Sequence, residues 1–201
     1  MRGLPRELHA PTARIEYLRP TQITVGMREV DNKRKRLREA GPNARHLVPV
    51  ILGPGKEPFV VDHHHESLAL LKEGFEEVLI LITADLHRLD AASFWAFLDA
   101  KGWCHPYDAK GRRCDFGRIP QRLEGLEDDP YRSLAGELRR TGGFAKDTTP
   151  FSEFLWAQYL RNRVKKPAIE DDFATALEHA LELAKSRDAD YLPGWCGPHD
   201  G

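Results

Sequence analysis

The chain has 201 residues, with 30 Lys and Arg against 31 Asp and Glu, a formal net charge of −1 and 41% hydrophobic residues. This length and composition favour one domain, or one domain with a helical extension, around a hydrophobic core. The balanced charge argues against a protein that coats nucleic acid, and no apolar stretch reaches the ~20 residues that a membrane-spanning helix needs.

The cysteines and the N-terminus indicate a compartment. Cys104, Cys114 and Cys196 are odd in number and lack Cys-x-x-Cys spacing, which favours reduced thiols over a disulfide framework or a zinc ribbon. The first residues lack the apolar segment of a secretory signal. We therefore expect a soluble, cytoplasmic protein without a membrane partner.

The first forty residues predict short elements before one helix. Residues 1–14 are expected to form a loose arm, and residues 15–18 a short strand. A helix is predicted over 31–40, closed by Gly41 and Pro42. Its basic run at 33–38 is interpreted as a solvated face.

A hairpin and a polar cluster follow. Strands are predicted at 46–52 and 59–61, joined by a Gly-Pro-Gly-Lys turn that lacks the spacing of a phosphate loop. The second strand runs into the cluster Asp62-His63-His64-His65-Glu66, and a helix is predicted over 66–73. Unpaired N–H groups and the helix dipole make such a strand-to-helix junction an anion site. Because neighbouring residues diverge, at most two of the histidines are expected to face one pocket.

The remaining elements are mostly helical. A buried central strand is predicted at 78–83, a helix from Asp90 to 100, and a hairpin or loop at 103–116. Further helices are predicted at 131–140, 151–164 and 171–185, before an apolar tail at 191–197 that docks on the body. Six large apolar side chains are expected in the core: Phe94, Trp95, Phe154, Trp156, Leu177 and Leu181.

The resulting fold class is α+β, a small mixed sheet with helices followed by a helical C-terminal half. We divide the chain into an α/β region at 1–117 and a helical region at 118–201, packed together as one compact unit.

Short motifs occur in a fixed order along the chain: Leu18-x-Pro20-Thr21-Gln22, Val25-Gly26, Glu29-Val30, Lys33, Val61–Leu70, Asp85-Leu86, Phe94-Trp95, Gly102-Trp103, Asp128–Leu134 and Leu192–Trp195. In this order the chain resembles the ParB/sulfiredoxin superfamily, and more closely its ParB-like nuclease branch. The resemblance runs from about residue 18 to 197. The resemblance implies the superfamily fold and a nucleotide bound at the strand-to-helix motif.

The superfamily's activities depend on residues that can be compared one by one. The motif of sulfiredoxins would place a reactive cysteine at position 64. This chain has His64 there, and without the thiol the reduction of a sulfinic acid is excluded. The motif of partition proteins would place arginines at positions 65 and 66. This chain has His65 and Glu66 there, which argues against a CTP site. The motif of a free-serine kinase fits best, since Asp62, His64 and His65 match it. Its catalytic glutamate resembles Glu29 in location.

Glu66 stands where that kinase motif has an arginine. A carboxylate repels phosphate, whereas arginine binds it in a bidentate manner. Either the substrate is less anionic, Lys33 offsets the charge, or a divalent ion such as Mg²⁺ bridges Glu66 or Asp62 to the phosphates. A structural alternative is a first-turn carboxylate that favours the helix dipole.

Three functional hypotheses follow. The first is a nucleotide- or phosphate-binding enzyme of phosphoryl transfer or hydrolysis, with a nucleotide of the ATP or ADP type. The second is a metal-assisted phosphodiesterase or nuclease. The third is a non-catalytic binding module for DNA or protein. The oligomeric state is not indicated.

The candidate site residues have separate expected roles. Those expected in catalysis are Glu29 as base, Asp62 to orient an imidazole or metal, and His64 and His65. Those expected to bind phosphate are Lys33, His64, His65 and Ser67. Those expected to hold a metal are Asp62, His63 and Glu66. Asp62, His64 and His65 should line one pocket opposite Glu29 or Lys33, with His64 facing solvent there.

Overall fold

A computed structural model describes residues 11–40 and 47–198. Its strands are β1 (Thr12–Arg14), β2 (Arg19–Pro20), β3 (Thr24–Val25), β4 (Leu47–Leu52), β5 (Pro58–Val60), β6 (Glu77–Asp85) and β7 (Glu127–Asp128). Its α-helices are α1 (Met27–Ala40), α2 (His64–Lys72), α3 (Ala91–Ala100), α4 (Pro130–Arg140), α5 (Ser152–Arg161), α6 (Lys166–Asp171) and α7 (Phe173–Lys185).

Five strands form a mixed sheet in the order β1-β6-β4-β5-β2. The pair β4–β5 is the predicted antiparallel hairpin, with Val50 opposite Val60, while β4 and β6 run parallel. The short strands β3 and β7 pair separately. With helices α4 to α7 following, the structure confirms the predicted fold class.

The core has an α/β part and a helical part. Against the sheet, Leu37 of α1 and Leu68 of α2 pack in one apolar cluster with Val48 and Val50 of β4. In the helical part, α4, α5 and α7 pack around Trp156, which is fully buried and whose Nε1 donates to the Pro193 carbonyl at 2.8 Å. The C-terminal tail therefore docks as predicted.

The predicted core residues divide into two groups. Phe94, Phe154 and Trp156 are buried, as expected. Trp95, Leu177 and Leu181 are half-buried at the edges of their clusters. The prediction is therefore confirmed for the first group and only partly for the second.

Local structure near the N-terminus differs from the prediction. Residues 15–17 form a 3₁₀ helix, and the strand lies just before it in β1, where Thr12 pairs with Leu79 of β6. The predicted strand at 15–18 is therefore wrong, because pairing with a distant strand determined the conformation. Residues 1–10 and 41–46, which include parts of the predicted arm, helix end and strand, lie outside the described residues.

Helix α1 begins at Met27, earlier than predicted, because its cap comes from elsewhere in the chain. The Met27 N–H donates to Asp128 Oδ1 at 2.8 Å, and the Arg28 N–H donates to Ser133 Oγ at 3.3 Å. These acceptors satisfy the first N–H groups of the helix, which have no intrahelical partner. Because these capping residues are distant in sequence, no residue next to α1 indicates where the helix begins.

Three other features differ from the prediction. Helix α2 begins at His64, so two histidines lie in its first turn. Strand β6 is not buried throughout, since Leu81 is 49% and Ile82 42% exposed. The predicted helix at 171–185 begins after Asp172, whose carboxylate caps Thr175, and the short helix α6 precedes it. No helix in the described ranges is long and apolar enough to cross a membrane.

Candidate functional site

A cavity of about 600 Å³ lies where several helices begin. We call it the main cavity. Its wall includes the N-cap and first-turn residues of α2 (His63–His65) and of α5 (Phe151–Glu153). First-turn side chains of α1 and α4, Glu29 and Arg132, complete it. The structure thus brings Asp62, His64 and His65 to one cavity with Glu29 and Lys33, but Glu29 lies beside His65, at 3.8 Å, rather than on an opposite wall.

His64 holds the loop that precedes β3. Its side chain is buried, and its Nε2 accepts the Thr21 N–H at 3.1 Å. Burial, followed by the neighbouring His63, lowers the pKa of His64 to about 3, despite a hydrogen bond with the Val60 backbone that raises it. The ring is therefore neutral at pH 7, with its proton on Nδ1. The expectation that His64 faces solvent is wrong, since residue 64 is only 3% exposed.

His65 holds the chain on the other side of β3, at Gly26. Its Nε2 accepts the Gly26 N–H at 3.0 Å. Burial first, and the cations Arg132, Lys33 and Arg140 in addition, lower the pKa of His65 well below its usual value. Both histidines are thus neutral acceptors of backbone N–H groups. Between them they fix the segment 21–26, which includes Gln22 on the cavity wall.

A buried ion pair joins two helices beside His65. Glu29 Oε2 lies 3.2 Å from Arg132 Nη1 and 3.8 Å from His65 Nε2. The guanidinium of Arg132 also lies 5.3 Å from the centroid of the Phe154 ring. Gly136 makes room for the pair, because a Cβ there would lie 3.0 Å from Arg132 Nη1 and 3.1 Å from Glu29 Oε2.

Close approach of the loop to α4 has a similar cause. A Cβ on Gly26 would lie 2.8 Å from both the backbone nitrogen and the hydroxyl oxygen of Ser133. A larger residue at position 26 would separate the loop from α4. The same glycine donates its N–H to His65. Gly26 therefore allows the chain before α1 to approach Ser133 of α4 closely.

Lys33 and Glu66 form an ion pair with 3.0 Å between Nζ and Oε2. Each side chain is about a quarter exposed, at 28% and 27%. The cation that was expected to offset the Glu66 charge therefore does so by direct contact. Lys33 lines the main cavity, whereas Glu66 and Ser67 are not part of its lining.

Asp62 and His63 occupy the strained junction between β5 and α2. His63 has a left-handed backbone with φ 66°, and its N–H donates to Asp62 Oδ1 at 2.7 Å. Phe151, the N-cap of α5, is also left-handed, with φ 58°. Positive φ is rare for bulky residues and clusters at ligand sites. Both strained residues line the main cavity.

The predicted metal ligands are not arranged as one set. Glu66 contacts Lys33, while Asp62 contacts the backbone of His63. In the parts of the chain that the structure describes, no group of three or more His, Cys, Asp or Glu side chains is placed to hold a metal ion. The metal site at Asp62, His63 and Glu66 stays a prediction, as does phosphate binding by Ser67.

Several cavity residues were missed by the sequence reasoning. Arg132, Arg139 and Lys146 add positive charge to the wall, and Arg139 is paired with Glu153 at 3.0 Å. The loop 146–150 also lines the cavity. Arg132 belongs to the motif 128–134, which carries part of the family resemblance. Nothing else near it in the sequence indicates that it lines the cavity.

The arrangement suits an anionic ligand. N-cap and first-turn residues of both α2 and α5 line the cavity, and the N-terminal ends of helices favour negative charge. Cationic side chains on α1 and α4 are within the same wall. Four carboxylates line the cavity as well, those of Glu29, Asp62, Asp147 and Glu153, and Glu29 is held between Arg132 and His65. Such a cavity can bind a phosphate group and present a base to it.

Known proteins match the chain over most of its length. Residues 12–162 match the sequence profile of the family described as "Putative ParB-like nuclease". The crystal structure of protein Atu1540 from Agrobacterium tumefaciens is similar, with 49% identity and a TM-score of 0.90. The alignment covers 93% of this chain and 97% of that one. No curated protein matches the chain. The whole lining of the main cavity lies within the profile match.

Proposed function

This chain belongs to the ParB-like nuclease family, and from that premise we propose that its main cavity binds the phosphate of a nucleotide or nucleic acid and that the protein hydrolyses or transfers that phosphate. One observation carries the proposal. The N-terminal turns of two helices, α2 and α5, line a single cavity together with arginine and lysine side chains.

The proposed roles follow from the contacts of each side chain. The first-turn N–H groups and Arg132 bind phosphate oxygens and stabilise charge in the transition state. The Glu29 carboxylate orients the attacking water or hydroxyl group and takes its proton. His64 and His65, as neutral rings bonded to backbone N–H groups, position the loop rather than shuttling protons.

A divalent ion would enter this site together with the substrate. Mg²⁺ is usually held by one or two carboxylates plus substrate phosphates. Asp62 is the most exposed carboxylate of the motif, at 76%, and it lies on the cavity wall. The chain thus fits a metal carried by the phosphates better than a metal held by protein ligands alone. Bound there, Mg²⁺ would neutralise phosphate charge.

Thermal melting with pyrophosphate and with nucleoside triphosphates, each with and without Mg²⁺, tests binding. A ligand at 100 times its Kd stabilises the folded state by about 2.7 kcal/mol, or roughly 5–10 °C in Tm. Lys33→Met should reduce this shift, because it removes a cation from the cavity wall. Lys35→Met, on the exposed face of the same helix, is the matched control.

Activity is measured by phosphate release from nucleotides and by nicking of plasmid DNA. Release of phosphate supports phosphoryl transfer or hydrolysis, and nicking supports the nuclease. Binding without either activity leaves the non-catalytic module. If neither pyrophosphate nor any nucleotide shifts the Tm, the phosphate site is wrong.

A further inference from the structure

A second cavity of about 320 Å³ lies beside the main cavity. The two cavities share Pro150, Phe151 and Phe154 as lining. Its size is at the lower end of the range for small-molecule pockets, roughly 300–1,000 Å³. Leu155, 45% exposed, lines it as well. A ligand held in the main cavity is therefore next to a second, smaller space.

Aromatic rings form one side of this second cavity. The His105 ring centroid lies 4.0 Å from that of Phe154, 4.5 Å from Tyr107 and 5.0 Å from Phe151. His105, Tyr107 and Phe151 are half-buried residues, and all three line the second cavity. Burial, with Arg132 and Arg161, lowers the pKa of His105 to about 3, so its ring is uncharged.

Polar groups lie beside the rings. Asp129 is 2% exposed and its Oδ2 lies 2.5 Å from Arg161 Nη2. Gln158 Oε1 accepts a hydrogen bond from Arg161 Nη1 at 2.9 Å, which leaves the amide nitrogen of Gln158 as a donor. Asp129, Gln158 and Arg161 all line the cavity. An aromatic wall with a few fixed polar atoms suits a flat heteroaromatic ring.

Phe151 connects the two cavities. It has a left-handed backbone at the start of α5, an unfavourable conformation for a bulky residue. It lines both cavities, and it is the N-cap residue of α5. Strain of this kind is retained where the surrounding structure requires one side-chain position.

We propose that the second cavity binds the nucleobase of the ligand whose phosphate occupies the main cavity. The base stacks on the exposed surfaces of His105, Tyr107 and Phe151, and the polar groups contact its edge. This inference rests on the proposed function. The ligand chemistry is a base joined to phosphate, either as a free nucleotide or as one unit of a single strand.

Calorimetry with tripolyphosphate, nucleoside triphosphates and a short single-stranded oligonucleotide tests the proposal. Base stacking contributes about 1–3 kcal/mol, so nucleotide should bind about 5- to 150-fold more tightly than tripolyphosphate. Tyr107→Leu should remove part of this preference without changing the affinity for tripolyphosphate, because Tyr107 lines the second cavity and not the main cavity.

Phe151→Asn provides a second variant. Asparagine tolerates a left-handed backbone, so Tm should stay the same or rise while the nucleotide preference falls. Tyr191→Asn, which removes a ring that is 70% exposed, is the matched control. An oligonucleotide that binds more tightly than mononucleotides indicates a strand as the source, and the reverse indicates a free nucleotide.

The contrary outcomes are distinguishable. Equal affinity of the wild type for tripolyphosphate and nucleotides overturns the base site and leaves the proposed function standing. Equal losses for both ligands in Tyr107→Leu also overturn it. If neither ligand binds the wild type, the proposed function fails and the base site fails with it.

Discussion

Glu29 and Arg132 are 103 positions apart in sequence, yet Glu29 Oε2 lies 3.2 Å from Arg132 Nη1. The contact joins the first turn of α1 to the first turn of α4. Side-chain exposure is 15% for Glu29 and 8% for Arg132. Because both groups are largely removed from water, each depends on the other to compensate its lost hydration.

Arg132→Met should lower the free energy of unfolding by about 3 kcal/mol, because it leaves the Glu29 carboxylate buried without its partner. The double variant Glu29→Gln with Arg132→Met should recover at least part of this loss. Urea denaturation of the four proteins gives the coupling energy. As a control, Arg118→Met breaks a mostly exposed pair with Glu127 and should cost less than about 1 kcal/mol. Additive effects of the two buried substitutions would contradict the pairing.

Gly136→Ala should separate stability from function. The new Cβ would press on the ends of Glu29 and Arg132, which are flexible enough to move. Alanine also favours the helix by about 1 kcal/mol relative to glycine. We therefore expect little change in Tm but weaker pyrophosphate binding, measured by calorimetry. Unchanged binding would show that the geometry of the pair is not needed.

His64→Ala should destabilise the fold. The substitution leaves the Thr21 N–H without its acceptor in a buried place, which costs about 1–3 kcal/mol. His63→Asn is the control, since His63 has a side chain that is 48% exposed and asparagine tolerates its backbone. Urea denaturation measures both. A loss of stability equal in the two variants would argue against the role of the ring nitrogen.

Stability should fall on acidification below about pH 6.5. The pKa values of His64 and His105 are lowered to about 3, and that of His65 is lowered too, in each case mainly by burial. Below pH 6.5 the unfolded chain therefore takes up protons that the folded chain does not. Each histidine then removes up to about 1.4 kcal/mol per pH unit from the free energy of unfolding, until pH approaches its folded pKa.

Urea denaturation between pH 7.5 and 5 measures this slope. Above pH 6.5 these rings are neutral in both the folded and the unfolded state, so they no longer make the free energy of unfolding depend on pH. His105→Gln should reduce the slope by the contribution of about one proton, which is about 1.4 kcal/mol per pH unit. His179→Gln, at an exposed position, is the matched control. An unaltered slope in His105→Gln would mean that this ring is protonated in the folded protein as readily as in the unfolded chain.

A fragment of residues 1–149 should not fold on its own. Tyr131, Leu134 and Leu138 of α4 are buried against residues of α5 such as Trp156 and Leu160, so the fragment would expose their apolar face. We expect dye binding and loss of near-ultraviolet circular dichroism, as for a molten state. A soluble fragment with native-like spectra would show that the predicted regions at 1–117 and 118–201 are independent.

Features with local causes were predictable from the sequence. The hairpin around the 53–56 turn follows from glycine, proline and flanking strands. Helix α3 follows from Asp90, whose carboxylate accepts the Ser93 N–H as expected. The histidine motif placed its residues at a cavity because its strand-to-helix position is encoded in adjacent residues.

Features with distant causes were not predictable. Arg132 meets Glu29 only because the order of elements brings α4 against α1. Asp128 and Ser133 cap α1 from outside it. The burial of His64 and His65, and therefore their neutral state, depends on the loop that folds over them. A sequence pattern shows which groups are polar but not which of them lose contact with water.

The main cavity takes its lining from residues between Gln22 and Phe154. On the ribosome, synthesis proceeds at about 5–20 residues per second, so the histidine motif emerges several seconds before Arg132 does. A nascent chain at that stage holds Glu29 without Arg132 and α2 without α5. The main cavity is therefore complete only once the chain has been synthesised through Phe154, the last of its lining residues.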